Sequence, residues 1–229
     1  MFLLEGNMGA GKSTFLSLIH KHVNEIEVVP EPVDVWHSDD HHNSLLSQFY
    51  VDPKRWAYTM ETWTMMTRVK EHIKEQHKDN HLKIMERSVY SGHYCFAHNG
   101  YKQGFMTQPE WDSYNAWFSF LVETKCTPPL GFIYLQTDPE VCNERINIRN
   151  RSGEDGVPLE YLTQIHNQHE QFLVKKQGIM KSLKDVPVLI LNVNEEFEHH
   201  PDIFQKHLDA VVAFTTPLYE KINSQQLQK

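Results

Sequence analysis

Cysteine is scarce in this sequence. Cys95, Cys126 and Cys142 are the only three in 229 residues, widely spaced, odd in number and without a C-x-x-C, which argues against a disulfide framework or a thiolate zinc site. A reducing, cytoplasmic compartment is the expectation. No apolar run approaches the roughly 20 residues of a spanning helix, and Met1 to Glu5 is too short for a signal-peptide core before glycines and Lys12 interrupt it. We therefore expect an untargeted, soluble chain with no membrane partner. Positive charge is also short: 22 Lys and Arg against 30 Asp and Glu give a formal charge of −8, so wholesale neutralisation of nucleic-acid phosphates is not expected. Any phosphate must be met at a local site. What remains, 40% hydrophobic and 23% charged residues, is the composition of an ordinary globular protein, and the length suits one α/β domain over 1–229 with a core that needs no staples.

Glycine is sparse as well, ten in all, yet three fall in the first eleven residues. Met1 to Glu5 reads as a short buried strand, followed by Gly6-Asn7-Met8-Gly9-Ala10-Gly11-Lys12-Ser13-Thr14 and then by the helical pattern Phe15, Leu16, Leu18, Ile19. This is G-x-x-x-x-G-K-S in its required context of strand before and helix after. The glycines let the backbone wrap a phosphate with N–H groups inward, Lys12 bridges the outer phosphates, Ser13 offers a hydroxyl to Mg²⁺, and the helix presents its positive end. A phosphoryl-group site follows. The N-K-x-D and D-x-x-G loops of a GTPase are missing downstream. A small-molecule kinase instead needs a residue to orient an acceptor hydroxyl and arginines to neutralise the moving phosphoryl.

Further along, Glu27 to Val29 reads as a second strand ended by Pro30-Glu31-Pro32, and functional groups gather at the carboxyl ends of parallel strands. A long helix is expected after Asp52-Pro53, a third strand over Leu82 to Met85 that delivers Glu86-Arg87-Ser88, and helices over Ser91 to His98 and Gln108 to Thr124. Gly131 to Gln136 is the fourth strand, and Asp138-Pro139 reads as an N-cap with Pro at N1. That helix carries Arg145 and Arg149 on one face with Arg151 just beyond, before a polar break over Asn150 to Gly156. Pro158 opens the next helix, Val186 to Leu191 is the fifth strand, and the last helix spans Pro201 to Phe214, leaving a polar, frayed tail over 223–229. Five alternations predict a five-stranded parallel sheet flanked by helices.

Taken together, G-N-M-G-A-G-K-S-T at 6–14, V-V-P-E-P-V at 28–33, the Pro53–Trp56 segment, E-R-S-V-Y-S at 86–91, Y-L-Q at 134–136, R-x-x-x-R-x-R at 145–151 and G-V-P-L-E-Y-L at 156–162 make the chain resemble the deoxyribonucleoside kinases of the deoxycytidine/deoxyguanosine kinase type. The resemblance runs from Leu3 to about Phe214. It implies a P-loop kinase fold with a short Arg-rich lid at about 145–157, a homodimer, Mg²⁺, and transfer of the γ-phosphoryl of ATP or another nucleoside triphosphate to a deoxyribonucleoside 5′-hydroxyl. Carried over residue by residue, Glu31 looks like the carboxylate that orients that hydroxyl, with Arg87 beside it, and Glu86 like the acid that assists Mg²⁺ with Ser13. Arg145, Arg149 and Arg151 look like the lid arginines. Tyr50 and Glu154 match residues that hold the sugar 3′-hydroxyl, and Trp36, Phe49 and Phe96 match the walls of the base pocket. An unperturbed Glu, pKa about 4.3, is a feeble base for an alcohol, so Glu31 should orient the nucleophile instead of stripping it.

Two positions depart from the family pattern. Where relatives carry a base-reading Gln this chain has Glu61, which when ionised only accepts, a match to the adjacent N1–H and 2-amino donors of guanine. Where relatives that reject thymine carry Asp, it has Gly92, an exchange expected to enlarge the pocket and free Arg68 to donate to guanine O6 and N7. Deoxyguanosine preference is the resulting expectation, against broad specificity with Glu61 protonated, water-bridged or paired with Arg68. Fifteen histidines, including His41-His42, His166 with His169 and His199-His200, show no convergent third metal ligand and read as solvated faces. Cys95 reads as a small buried hydrophobe. The competing functions are a nucleoside monophosphate kinase, which would need more positive charge for its acceptor, and a nucleotide-dependent interaction protein without acceptor chemistry.

Overall fold

A computed structural model describes residues 1–32, 44–78, 81–150 and 157–226. Five parallel strands, β1 (Phe2–Gly6), β2 (Ile26–Val29), β3 (Leu82–Glu86), β4 (Gly131–Gln136) and β5 (Val188–Asn192), form one sheet in the order β2-β3-β1-β4-β5. The fold is the expected α/β sheet flanked by helices. Strand β1 is central and buried along its whole length, because helices cover both faces of a parallel sheet. Its side chains alternate between two cores. Leu3 joins Met85, Phe132 and Tyr134 on one face, while Phe2 and Leu4 join Ile84, Ile133 and Leu135 on the other.

On the first face lie α2 (Leu45–Val51), α3 (Pro53–Gln76) and α6 (Gln108–Lys125), together with a composite helix made of α4 (Val89–Ser91), a π-helical turn (Gly92–Ala97) and α5 (His98–Lys102). On the second lie α1 (Lys12–His22) and α9 (Pro201–Gln226). Helices α7 (Pro139–Arg149) and α8 (Leu159–His169) pack on each other across the carboxyl edge. Register ties the ends together: Leu4 pairs with Glu86 and Gly6 with Leu135, so the loops after β1, β3 and β4 open at one level.

Three elements differ from expectation. Helix α2 was not predicted; Ser44 starts it by accepting from the Ser47 N–H at 3.1 Å, and Asp52 then caps α3 by accepting from the Arg55 N–H at 3.2 Å. Helix α9 does not stop at Phe214 but passes through Pro217 to Gln226, with Leu218 and Tyr219 packed on the second core, so residues 223–226 of the expected tail are helical. Asp138 precedes α7 without a side-chain capping bond; its Oδ2 accepts from Asn194 Nδ2 at 2.9 Å instead.

Candidate active site

The loop between β1 and α1 has the shape its residues require. Gly9 and Gly11 sit at φ of 77° and 86°, and a Cβ on Gly9 would stand 2.4 Å from the Cys142 carbonyl oxygen. Asn7 fixes the loop by donating from Nδ2 to the Leu162 carbonyl at 2.8 Å and accepting the Met8 N–H at 2.9 Å. Lys12 Nζ lies against the loop's own Asn7 carbonyl at 2.8 Å. Burial, then Arg87, lowers its pKa to about 8. Ser13 Oγ donates to Glu86 Oε1 at 2.8 Å, joining the start of α1 to the end of β3 with two hard oxygens side by side.

Glu31 follows β2, separated from β1 in the sheet by β3 alone, and its carboxylate is within electrostatic reach of Lys12 in the loop. Arg68 of α3 donates to Oε1 from Nε at 3.2 Å and Nη2 at 2.7 Å, and Arg87 Nε donates to Oε2 at 3.2 Å. Burial alone would raise the Glu31 pKa; Arg87, Arg68 and Lys12 together hold it below the ordinary carboxylate value. Arg87 adopts φ 58°, an uncommon backbone state for a non-glycine residue, with its N–H on the Leu4 carbonyl at 2.8 Å. Its guanidinium lies 4.5 Å above the Phe96 ring, and its Nη1 is buried without a partner.

Arg68 is therefore held by Glu31, not freed for the base as Gly92 had suggested. The missing side chain at Gly92 makes room for that arrangement: a Cβ there would fall 2.6 Å from Arg68 Nη1. Glu61, two turns earlier on the same face of α3, is only 9% exposed. Burial raises its pKa to about 7, partly opposed by Arg68 and Arg87.

Of the other expected site residues, Phe49 is half-buried against the first core and Tyr50 beside it is exposed, their rings 5.7 Å apart. Arg149 is exposed at the end of α7. Arg145 is not on a solvated face: its Nη2 meets the carbonyls of Val193, Asn194 and Glu195 at 2.9–3.2 Å. Trp36, Arg151 and Glu154 lie outside the described residues. Two residues escaped sequence reasoning. Glu5 is fully buried in β1, its Oε1 accepting from Ser88 Oγ and its Oε2 unpartnered, and burial raises its pKa. An acid closing an apolar strand was the available signal. Tyr161, at the start of α8, is half-buried and within electrostatic reach of Glu61, Tyr50 and Arg87.

The histidines are not all solvated: His72 and His169 are fully buried. Among the described residues no group of His, Cys, Asp or Glu could hold a metal in the manner of a His/Cys site.

Residues 2–215 match the deoxynucleoside kinase family. The chain belongs to that family. Deoxycytidine kinase 2 of Gallus gallus is 36% identical over 236 residues, covering 93% of this chain and 89% of the relative. The mitochondrial deoxyguanosine kinase of Xenopus laevis is also 36% identical, covering 94% and 89%, and the deoxycytidine kinase of Homo sapiens is 33% identical, covering 94% and 90%. This deoxynucleoside kinase is thus an enzyme of nucleoside phosphorylation, with the nucleotide loop, Glu31 and the Glu86-Arg87-Ser88 turn converging at the carboxyl end of its sheet. No described helix is long and apolar enough to cross a membrane.

Proposed function

We propose that this deoxynucleoside kinase moves the γ-phosphoryl of ATP, or of another nucleoside triphosphate, to the 5′-hydroxyl of a deoxyribonucleoside, and that it takes deoxyguanosine when Glu61 is ionised. The observation that carries this reading is the Glu31 carboxylate, clamped by Arg68 and Arg87 and within electrostatic reach of Lys12. Residues Gly6 to Thr14 cradle the triphosphate. Glu31, kept ionised, accepts the 5′-hydroxyl hydrogen bond and aims its oxygen at the γ-phosphorus. The new O–P bond forms as the bond to the β–γ bridging oxygen breaks, the nucleoside diphosphate leaves, and the hydroxyl proton passes to Glu31 or to solvent. A carboxylate held below its ordinary pKa orients more than it deprotonates, which suits a loose transition state.

Lys12, the unpaired Nη1 of Arg87 and the lid arginines Arg145, Arg149 and Arg151 spread the charge on the moving group. Ser13 and Glu86 present the hard oxygens that fit Mg²⁺, which when bound neutralises phosphate charge. Phe96, Phe49 and Trp36 wall the base, and Tyr50 with Glu154 holds the 3′-hydroxyl. Three buried, unbonded thiols support a reducing compartment such as the cytoplasm. A homodimer through α3 and α6 is supported by Trp63, Met66, Trp117 and Phe120, all 45–54% exposed on those adjoining helices.

The test is consumption of ATP with and without each of the four deoxyribonucleosides, identifying the 5′-monophosphate, in native enzyme and Glu61→Gln. Strict dependence on nucleoside is expected. Slow hydrolysis indifferent to nucleoside would defeat the kinase reading, and an unchanged base ranking in Glu61→Gln would defeat the guanine assignment.

A further inference from the structure

Resting on that reading, we infer that Glu61 reads the nucleobase in two protonation states: as a neutral acid it admits cytosine and adenine, as a carboxylate it turns them away and favours guanine, so the preference of the enzyme for deoxyguanosine rises with pH.

The geometry begins with isolation. Glu61 shares the buried face of α3 with Ala57, Thr64, Met65 and Arg68, and its side chain makes no hydrogen bond or ion pair with another described residue. The cations that would ordinarily hold it ionised serve Glu31: Arg68 through Nε and Nη2, Arg87 through Nε. A carboxyl so placed gains little from being charged and much from a partner that enters the site. Its pKa, raised to about 7 by burial, leaves both forms populated near neutrality.

The surroundings stay constant while Glu61 changes. Tyr114 of α6 and Tyr161 of α8 face it as phenols that burial and the Glu61 charge keep protonated. Tyr50 of α2 stands beside Tyr161. In the π-helical turn packed on α3, burial raises Tyr94 and Cys95 and lowers His93 to about 3, so none of these changes charge near neutrality. Lys12, with its pKa lowered to about 8, serves the triphosphate and so weighs equally on every nucleoside.

Hydrogen-bond complementarity supplies the selection. A neutral carboxyl has one O–H donor and one carbonyl acceptor, the same pattern as the carboxamide of glutamine. Cytosine offers its 4-amino donor beside N3, and adenine its 6-amino donor beside N1, so each is matched by the neutral acid. Guanine offers N1–H and the 2-amino group, two donors matched by the carboxylate. The carboxylate sets a lone pair against N3 of cytosine or N1 of adenine, which leaves a buried polar group unpaired, whereas guanine meets the neutral acid through O6 and N1–H and the carboxylate through two charge-assisted bonds.

The kcat/KM of deoxyguanosine relative to deoxycytidine, measured from about pH 6 to about pH 8.5, should rise about tenfold or more, a window in which the free bases keep their protonation. Glu61→Gln, whose carboxamide suits either kind of base, should give a flat ratio that stays below the native value at the upper end of the range. Calorimetric titration of the native enzyme near pH 7 in two buffers of different ionisation enthalpy gives a readout independent of turnover: deoxyguanosine should release a proton and deoxycytidine take one up. A flat ratio in an enzyme that turns over nucleosides, or proton exchange of the same sign for both, overturns the inference. Failure to phosphorylate any nucleoside at any pH would instead overturn the kinase reading beneath it.

Discussion

One oxygen of Glu31, Oε1, accepts from both Nε and Nη2 of Arg68, at 3.2 and 2.7 Å, while Arg87 holds the other oxygen. The pair is almost buried, and a carboxylate gripped on both sides has a fixed direction as well as a fixed charge. In the proposed mechanism Arg68 thus positions the acid that meets the acceptor, and its own position depends on the empty space above Gly92.

Gly92→Ala tests that dependence. The added Cβ, 2.6 Å from Nη1, meets the far end of a flexible side chain and not backbone, so the fold accommodates it while Arg68 leaves its place on Glu31. We expect kcat to fall about tenfold, on the order of 1.4 kcal/mol of lost positioning, with the midpoint of thermal unfolding nearly unchanged. Steady-state kinetics beside a thermal melt decides it; an intact kcat with a lowered melting point would show that Arg68 merely packs.

Lys12 carries a prediction about protons. With its pKa lowered to about 8 by burial and by Arg87, the free enzyme loses this charge as pH rises past 8, and a polyphosphate laid against the ammonium restores it. ATP binding at about pH 8.5 should therefore take up a proton, approaching one per site, and at about pH 6.5 it should take up almost none. Calorimetry in buffers of different ionisation enthalpy measures the uptake. Equal exchange at the two pH values would contradict it.

Much of this was legible beforehand because it is local. The strand before Gly6, the Gly9 and Gly11 turns, and Glu86-Arg87-Ser88 at the end of β3 follow from hydrophobic period and motif, and the sheet follows from their alternation. What was hidden is what only packing decides. The partner of Arg68 comes from a segment 37 residues away, and no spacing rule announces it. Pro217 reads as a helix end, yet Leu218 and Tyr219 gain enough by joining the second core to carry α9 past it. Glu61 stood out in the sequence as a departure from the family's Gln, but its protonation depends on which carboxylate claims the arginines.

The exposed face of α3 and α6 predicts an assembly. Trp63 and Met66 are three apart on one helix, Trp117 and Phe120 three apart on its neighbour, and together they leave an aromatic strip in water. Trp117→Glu should convert a dimer to monomer, weakening association about a hundredfold or more, because a charge would be buried unpaired at the seam. Sedimentation velocity across a concentration series checks it; a native enzyme that is monomeric throughout would end the proposal.

His93 offers a prediction about stability, with its sign fixed by linkage. Its ring lies nearly parallel to Phe118, centroids 3.8 Å apart, and its Nδ1 is buried without a partner. Burial, with a smaller push from His98, lowers its pKa to about 3, whereas an unfolded histidine titrates near 6.5. Below about pH 6.5 the unfolded chain takes up a proton that the folded chain refuses, so stability contributed by the neutral ring is present above that value and is lost progressively as pH falls toward 3. His93→Phe keeps a flat ring in the stack and removes both the unpaired nitrogen and the linked proton. It should stabilise the protein by about 1–3 kcal/mol at pH 7, and by more at pH 5. Some acid sensitivity will persist, since His169, also lowered to about 3, is untouched. Urea unfolding at both pH values separates the two contributions: a gain that is the same at pH 5 as at pH 7 would mean the buried ring is protonated in the folded enzyme after all.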